Sequence, residues 1–216
     1  MKRGNRKRIK RNQRPKRRPK LKNYLIFTDA ERTEVNYFQG LKDYLPSEVR
    51  NKISIEVIKS ESAEKLIEDA KRHIEEKGFI GYKDIWLIFD RDEVKEFDDI
   101  VRQAESNGFN VGWSNPCIEI WFLSYFGKNP NNINAKSCTD NFKKVFEKNV
   151  KKPYKKNDKE IYRLLRQFGD EEEAIRLSRN KYNDYLSDEC KKPSNMNGAP
   201  RVFELVEEIN NTKLNQ

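Results

Sequence analysis

The fold of this chain is decided by the stretch Asp84-Ile85-Trp86-Leu87-Ile88-Phe89, its most apolar run, and by Asp90-Arg91-Asp92, which follows directly. A continuous apolar run of this length predicts a strand that is buried on both faces of a sheet. Two carboxylates two residues apart at its end point to the same side of the chain. Because like charges repel and hard divalent cations prefer carboxylate oxygens, the stretch predicts a magnesium-type site. An ordinary acidic turn after a strand is the alternative.

The segments on either side of this run alternate between strand and helix patterns. Short apolar or alternating runs predict strands at residues 24–28, 53–58, 84–89 and 109–114. Spacings typical of amphipathic helices lie between them, at residues 31–45, 60–76 and 94–107. Strands and helices that alternate about every 30 residues indicate the α/β class. The prediction is a Rossmann-like parallel sheet flanked by helices.

After Ser114 the pattern becomes helical. Helices are predicted at residues 116–126, weakly at 141–148, and at 158–168, 171–186 and 200–210. The predicted organisation is therefore a basic disordered arm (1–22), an α/β domain (23–126) and a helical C-terminal region that packs on it (127–216).

The basic charge of the chain is confined to the arm. The sequence has 45 Lys and Arg against 35 Asp and Glu, but residues 1–22 hold thirteen of the basic residues and no acid. The remaining 32 basic and 35 acidic residues give a net charge of −3. An arm of this composition cannot bury a core and suits a phosphate backbone, so a nucleic acid, either DNA or RNA, is the expected partner. A solubilising tail is the alternative.

Several classes of protein are disfavoured by what the sequence lacks. No apolar run approaches membrane-spanning length and no apolar signal segment follows the basic N-terminus, so a cytoplasmic protein without a membrane partner is expected. The three cysteines are far apart and form no CxxC pair, which argues against zinc and a disulfide framework. No G-x-G-x-x-G, Walker lysine loop or nucleophile-elbow serine is present. Whether the chain forms a homo-oligomer is left open by the sequence.

The acidic residues after the first and third strands are the candidate site. Ligands of parallel α/β folds bind at the carboxyl ends of the strands. If these strands are neighbours, Asp29 or Glu31 meets Asp90 and Asp92 on one rim of the sheet. Such a set of carboxylates predicts one or two Mg²⁺ or Mn²⁺ ions, which can stabilise both oxygens of phosphoryl transfer.

Other polar residues have two interpretations each. Glu119 lies in an apolar helix and is either a site residue or a surface acid. Glu34 is expected to cap or pair within the first helix, and direct binding of a metal is the alternative. The lysines around Tyr154 suit single-stranded nucleic acid, although a solvated loop is the default interpretation; they are Lys151, Lys152, Lys155 and Lys156.

Four motifs, in order, resemble those of the RloB-like family and cover most of residues 24–210. They are Thr28-Asp29-Ala30-Glu31-Arg32-Thr33-Glu34-Val35-Asn36-Tyr37-Phe38, Phe89-Asp90-Arg91-Asp92, Ser114-Asn115-Pro116-Cys117-Ile118-Glu119-Ile120-Trp121-Phe122-Leu123 and Asn197-Gly198-Ala199-Pro200-Arg201-Val202-Phe203-Glu204-Leu205-Val206. The third motif is the most specific. The resemblance implies a Toprim-type domain, with magnesium-binding acids after the first and third strands.

By that resemblance the chain is expected to be a metal-dependent nuclease of bacterial anti-phage defence, often found beside an ATPase partner of the AAA or ABC type. Asp29, Asp90 and Asp92 would bind the metal, and Glu31 and Glu119 would act as ligands or as general acid and base. The family's first glutamate falls on Asp29 and its glycine on Ala30. Because aspartate is one methylene shorter, a catalytically inactive scaffold that binds nucleic acid or the ATPase stays an alternative.

Overall fold

The computed structural model describes residues 22–29, 32–50, 53–77, 84–92 and 94–214. Residues 1–21 of the predicted arm lie outside the described residues, as does Glu31. The strands are β1 (Lys22–Thr28), β2 (Ile53–Lys59), β3 (Asp84–Asp90) and β4 (Asn110–Ser114). The helices are α1 (Thr33–Tyr44), α2 (Ser47–Arg50), α3 (Leu66–Lys77), α4 (Phe97–Ser106), α5 (Glu119–Ser124), α6 (Ala135–Val150), α7 (Ile161–Phe168), α8 (Glu171–Ser187) and α9 (Phe203–Leu214).

The four strands form one parallel sheet in the order β2-β1-β3-β4. Thr28 at the end of β1 pairs with Ile88 of β3, and Asp90 at the end of β3 pairs with Ser114 of β4. Helices cover the sheet, and the C-terminal part of the chain is helical. The prediction of a Rossmann-like α/β fold is therefore confirmed, and β1 and β3 are neighbours.

Alternate residues of the strands belong to two separate hydrophobic clusters, one on each face of the sheet. On β3, Trp86 and Ile88 belong to one cluster, whereas Ile85, Leu87 and Phe89 belong to the other. This alternation is the period of two of a β-strand. Because both faces are covered, the strand is apolar throughout, as expected for a parallel sheet.

The helices divide unequally between these two faces. The cluster of Trp86 and Ile88 contains side chains of α1 and of the C-terminal helices α5, α6, α7, α8 and α9. The opposite cluster contains α3 and α4, together with Met196 and Ala199 from the segment before α9. The C-terminal helices therefore share one continuous core with the first half of the chain. No helix among the described residues is long and apolar enough to cross a membrane.

Several helix boundaries differ from the predicted ones. Helix α4 begins at Phe97 rather than at residue 94, because the Val94 N–H donates to Arg91 O in a turn that precedes the helix. Helix α6 is longer than the weak signal at residues 141–148 indicated. Asn134 caps it, since its side chain accepts a hydrogen bond from the Ser137 N–H at 2.8 Å.

Strand β4 contains a glycine because the end of the chain folds closely over it. A Cβ on Gly112 would lie 2.6 Å from Ile88 Cδ1 and 3.5 Å from Val202 Cα. The Arg201 N–H donates to Trp113 O, and Ser114 forms an antiparallel bridge with Pro200. The absence of a Cβ at Gly112 thus admits the segment before α9.

A buried carboxylate connects the helices of the larger cluster. Glu171, at the start of α8, is 3% exposed. Its Oε2 accepts from Tyr125 OH at 2.8 Å, and its Oε1 accepts from Arg166 and from Asn210 at 2.9 Å each. The Tyr125 hydroxyl also lies 2.8 Å from that of Tyr37. One side chain thereby joins α5, α7, α8 and α9, and reaches α1 through Tyr125.

We expect Glu171→Ala to destabilise the protein by about 3–5 kcal/mol, because it leaves Arg166 and the Tyr125 hydroxyl without their acceptor. Urea denaturation followed by circular dichroism measures the change. The matched control is Glu172→Ala, at the exposed next position of the same helix, which should stay within about 0.5 kcal/mol of wild type. Equal midpoints for the two variants would contradict the prediction.

Candidate active site

The polar residues at the carboxyl edge of the sheet face the layer of α1 and α5. Tyr24 and Ile26 of β1 belong to the larger cluster, and Thr28 continues their alternation. Asp90 continues that of Trp86 and Ile88 on β3. Because alternate residues share a face, Thr28 and Asp90 point toward the layer that carries α1 and α5.

The loop after β3 is held by backbone hydrogen bonds. Asp90 Oδ2 accepts from the Ile118 N–H at 2.9 Å, just before α5. The Arg91 N–H donates to Ser114 O at 2.9 Å, and the Asp92 N–H donates to Pro116 O at 3.1 Å. The acidic loop is thereby fixed to the turn between β4 and α5.

Glu34, in the first turn of α1, is a buried carboxyl beside Asp90. It is 3% exposed, and its Oε2 has no hydrogen-bond partner among the described residues. Burial, followed by the charge of Asp29, raises the pKa of Glu34 to about 8; the charge of Glu119 also raises it. Its own N–H and a hydrogen bond with Asp90 act in the opposite direction. Glu34 therefore holds a proton more firmly than an ordinary carboxyl.

Asp90 is subject to the same forces. Burial raises the pKa of Asp90 well above its usual range, and the charges of Glu34, Asp29 and Glu119 raise it further. The hydrogen bond from the Ile118 N–H partly offsets these effects. Four carboxyl groups from two strand ends and two helices therefore form one interacting set, which we call the acidic cluster: Asp29, Glu34, Asp90 and Glu119.

A loop from the helical region closes over the acidic cluster. Glu119 is 1% exposed, and its Oε1 accepts from Tyr154 OH at 3.0 Å. Tyr154 packs on Phe142 of α6, and Thr33 Oγ1 donates to Lys156 O at 3.0 Å. The loop is therefore tied to α6 and to the start of α1.

Lys156 supplies positive charge at this place. Burial alone would lower the pKa of its ammonium group, but the negative charges of Glu119, Asp90 and Asp92 outweigh burial and raise the pKa. One cation therefore faces several carboxylates, so the acidic cluster and Asp92 keep a net negative charge whenever most of them are ionised.

The structure brings together most of the predicted site residues. Asp29, at the end of β1, and Asp90 and Glu119 belong to the acidic cluster. Asp92 is exposed in the loop beyond it, since the strand and its alternation end at Asp90. Glu31 lies outside the described residues. Of the two interpretations of Glu119, the structure favours a buried residue of the site over a surface acid.

Two residues of the site were not predicted. Glu34 was expected to cap or pair within α1, yet it lies three, four and seven positions before Tyr37, Phe38 and Leu41, so it shares their buried stripe. That spacing was a usable signal. Lys156 was assigned by default to a solvated loop, and its sequence neighbourhood contains nothing that marks it as different from Lys155.

The donor chemistry of the site suits a hard cation. Carboxylate oxygens are the ligands that Mg²⁺ and Mn²⁺ prefer, and the buried Oε2 of Glu34 is left without a hydrogen bond. Within the described ranges, however, no three His, Cys, Asp or Glu side chains already converge as metal ligands do. A bound ion would therefore require the carboxylates to move closer together.

Comparison with known proteins identifies one family. The family model described as RloB-like protein matches residues 24–209. No curated protein matches the chain. No solved structure matches it either.

The pKa of Glu34 predicts how stability depends on pH. A carboxyl group whose pKa is higher in the folded state than in the unfolded state makes its full contribution to stability below the unfolded-state pKa of about 4.3. For Glu34 this contribution is lost as the pH rises to about 8. We expect Glu34→Gln, which cannot ionise, to melt above wild type by a margin that grows over this pH range, reaching several degrees at roughly 2–4 °C per kcal/mol.

Thermal melts in the presence of a chelator measure this margin. Glu147→Gln, at an exposed position of α6, is the matched control and should show no comparable trend. A margin that stays constant with pH would mean that Glu34 does not titrate as described.

Proposed function

The chain belongs to the RloB-like family, and we propose that it is a metal-dependent nuclease of the Toprim type, acting in bacterial defence against phage. The observation that carries this proposal is the meeting of Asp29, Glu34, Asp90 and Glu119 at the carboxyl ends of β1 and β3. Ligands of parallel α/β sheets bind at this edge. A set of carboxyl groups beside one lysine suits chemistry on a phosphodiester.

The acidic cluster supports metal binding through its electrostatics. Burial and mutual repulsion raise the pKa values of Glu34 and Asp90, which means that their ionised forms are destabilised. A divalent cation relieves that repulsion as a proton does. In this proposal Asp29, Asp90 and Asp92 hold Mg²⁺ or Mn²⁺, which when bound supplies Lewis-acid activation of the phosphodiester.

The side chains around the metal ligands have separate roles in the proposal. Lys156 places a positive charge where the phosphate acquires negative charge, and Thr33 positions its backbone. Glu119, oriented by Tyr154, accepts a proton from the attacking water or helps to hold the metal. Glu34 stores a proton near neutral pH, since its pKa is about 8.

The second candidate function is a catalytically inactive scaffold that binds nucleic acid or an ATPase. It is favoured by Asp29, which is shorter than the glutamate of the family motif, and by the lack of three converged metal ligands among the described residues. Calorimetric titration with Mg²⁺ separates the two proposals. No heat of binding at millimolar metal supports the scaffold. An ATPase partner and a homo-oligomer stay predictions.

We expect Asp92→Asn to reduce cleavage of plasmid DNA or of an RNA transcript by at least about 100-fold, since the variant loses one charged ligand. Because Asp92 is exposed, the substitution should leave the melting temperature unchanged. Gel assays with Mg²⁺ and with Mn²⁺ measure the rate. Asp188→Asn, an exposed aspartate after α8, is the control. Equal rates for the two variants and wild type would remove Asp92 from the mechanism.

The role of Lys156 has its own matched pair of variants. Lys156→Gln should lower the cleavage rate constant by about 100-fold, because it removes the positive charge that faces the acidic cluster. Lys155→Gln removes the same charge from the neighbouring residue, which is exposed as Lys156 is, and should cleave as wild type does. If both variants lose activity equally, general electrostatic attraction rather than a placed cation explains the effect.

A further inference from the structure

A groove with an excess of positive charge begins at the acidic loop. It has a volume of about 730 Å³ and runs between the start of α4 and the segment that joins α8 to α9. Arg91, which separates Asp90 from Asp92, lines one end of it. Lys95 stands on the α4 side, and Lys191 and Lys192 stand on the opposite side. We call this feature the α4 groove.

The opposite wall of the α4 groove is held firmly in place. Asp98 accepts hydrogen bonds from the Ser194 N–H at 2.8 Å and from its hydroxyl at 2.6 Å. The Asn115 side chain donates to Pro193 O and Ser194 O at 3.0 Å each. The lysines just before this turn are therefore carried by a fixed backbone rather than by a loose loop.

The acidic residues of the groove are mostly engaged already. Asp99 pairs with Arg102, and Glu105 pairs with Arg201. Asp98 is hydrogen-bonded to Ser194, as described above. Among the described residues of the lining, Glu96 is the remaining acid.

The basic residues of the groove differ from these acids within the described part of the chain. Within the part of the chain that the structure describes, no carboxylate forms an ion pair with the four exposed cations Arg91, Lys95, Lys191 and Lys192. Four such cations against Asp98 and Glu96 leave the described lining of the groove positive. This contrasts with the sequence beyond residue 22, whose net charge is −3.

The α4 groove is continuous with the acidic loop. A second cavity, of about 500 Å³, is lined by Asp92 and Asn115 and shares Arg91 and Ser194 with the groove. A chain of regularly spaced negative charges lying in the groove would therefore pass beside the acidic loop. Such a ligand needs cations on both walls of the groove and a further cation where it passes the acidic loop. Lys95, Lys191 and Lys192 supply the first, and Arg91 supplies the second.

We propose that the α4 groove binds the sugar-phosphate backbone of a nucleic acid strand and directs that strand to the acidic loop. The proposal rests on the nuclease function given above, because it assigns the substrate path of that same site. Lys and Arg contacts to phosphates release counterions, so each contact adds to the salt dependence of binding. Base identity plays no part in this mode of binding.

The experiment measures binding without cleavage. A fluorescein-labelled single-stranded DNA of mixed sequence is titrated with the full-length protein in EDTA, over a range of salt concentrations, and followed by anisotropy. For the double variant Lys191→Gln, Lys192→Gln we expect the negative slope of log K against log salt to decrease in magnitude by about 1.4 and the affinity at low salt to fall roughly tenfold. Lys95→Gln, on the other wall, should decrease the magnitude of the slope by about 0.7.

The matched control is the double variant Lys144→Gln, Lys148→Gln, which removes the same charge from exposed positions of α6. It should keep the wild-type slope. If the groove and control variants lose affinity and slope equally, or if neither changes, the α4 groove is not the path. Thermal melts verify that each variant is folded, and Lys95→Gln tests the groove independently of the opposite wall.

The outcomes for the groove and for the nuclease are separable. Because the titration contains no metal, loss of binding in the groove variants supports the path whether or not the protein cleaves. Cleavage by wild type that persists at the same rate and salt dependence in the groove variants would overturn the path while leaving the nuclease proposal intact.

Discussion

The carboxylate of Glu171 is the point on which the helical layer depends. It is buried where α5, α7, α8 and α9 meet, and it accepts hydrogen bonds from Tyr125, Arg166 and Asn210. A buried charge is tolerated only when it is paired and hydrogen-bonded, so each of these helices must take one position relative to the others. That layer in turn carries α5, whose first residue is Glu119.

The acidic cluster has the opposite character. Glu34 and Asp90 are held near other carboxyl groups by the strand ends and by α1, and their raised pKa values record the cost of that arrangement. Lys156 offsets only part of the negative charge. A hydrogen-bonded network around Glu171 thus supports a set of mutually repelling acids at the sheet edge, which is the division expected between a scaffold and a functional site.

Much of the architecture was predictable because it is encoded locally. The apolar run at β3 and the alternation of strands and helices indicated the parallel sheet, and the structure brings the predicted site residues Asp29, Asp90 and Glu119 together at its edge. Lys156 could not be placed, because its position depends on a loop that Thr33 holds from 123 positions away. The turn before α4 was also missed, since its hydrogen bonds depend on where the acidic loop ends.

The hydrogen bonds of Asn115 affect the order in which parts of the fold form during synthesis. Its backbone N–H and carbonyl bond to Ala199 and Gly198, and its side chain bonds to the turn at Pro193. The turn beside the acidic loop is therefore completed by residues that follow α8 in the sequence. During synthesis, the four described strands leave the ribosome before these residues do. The edge of the sheet that carries the acidic loop would thus reach its final form later than the strands that build it.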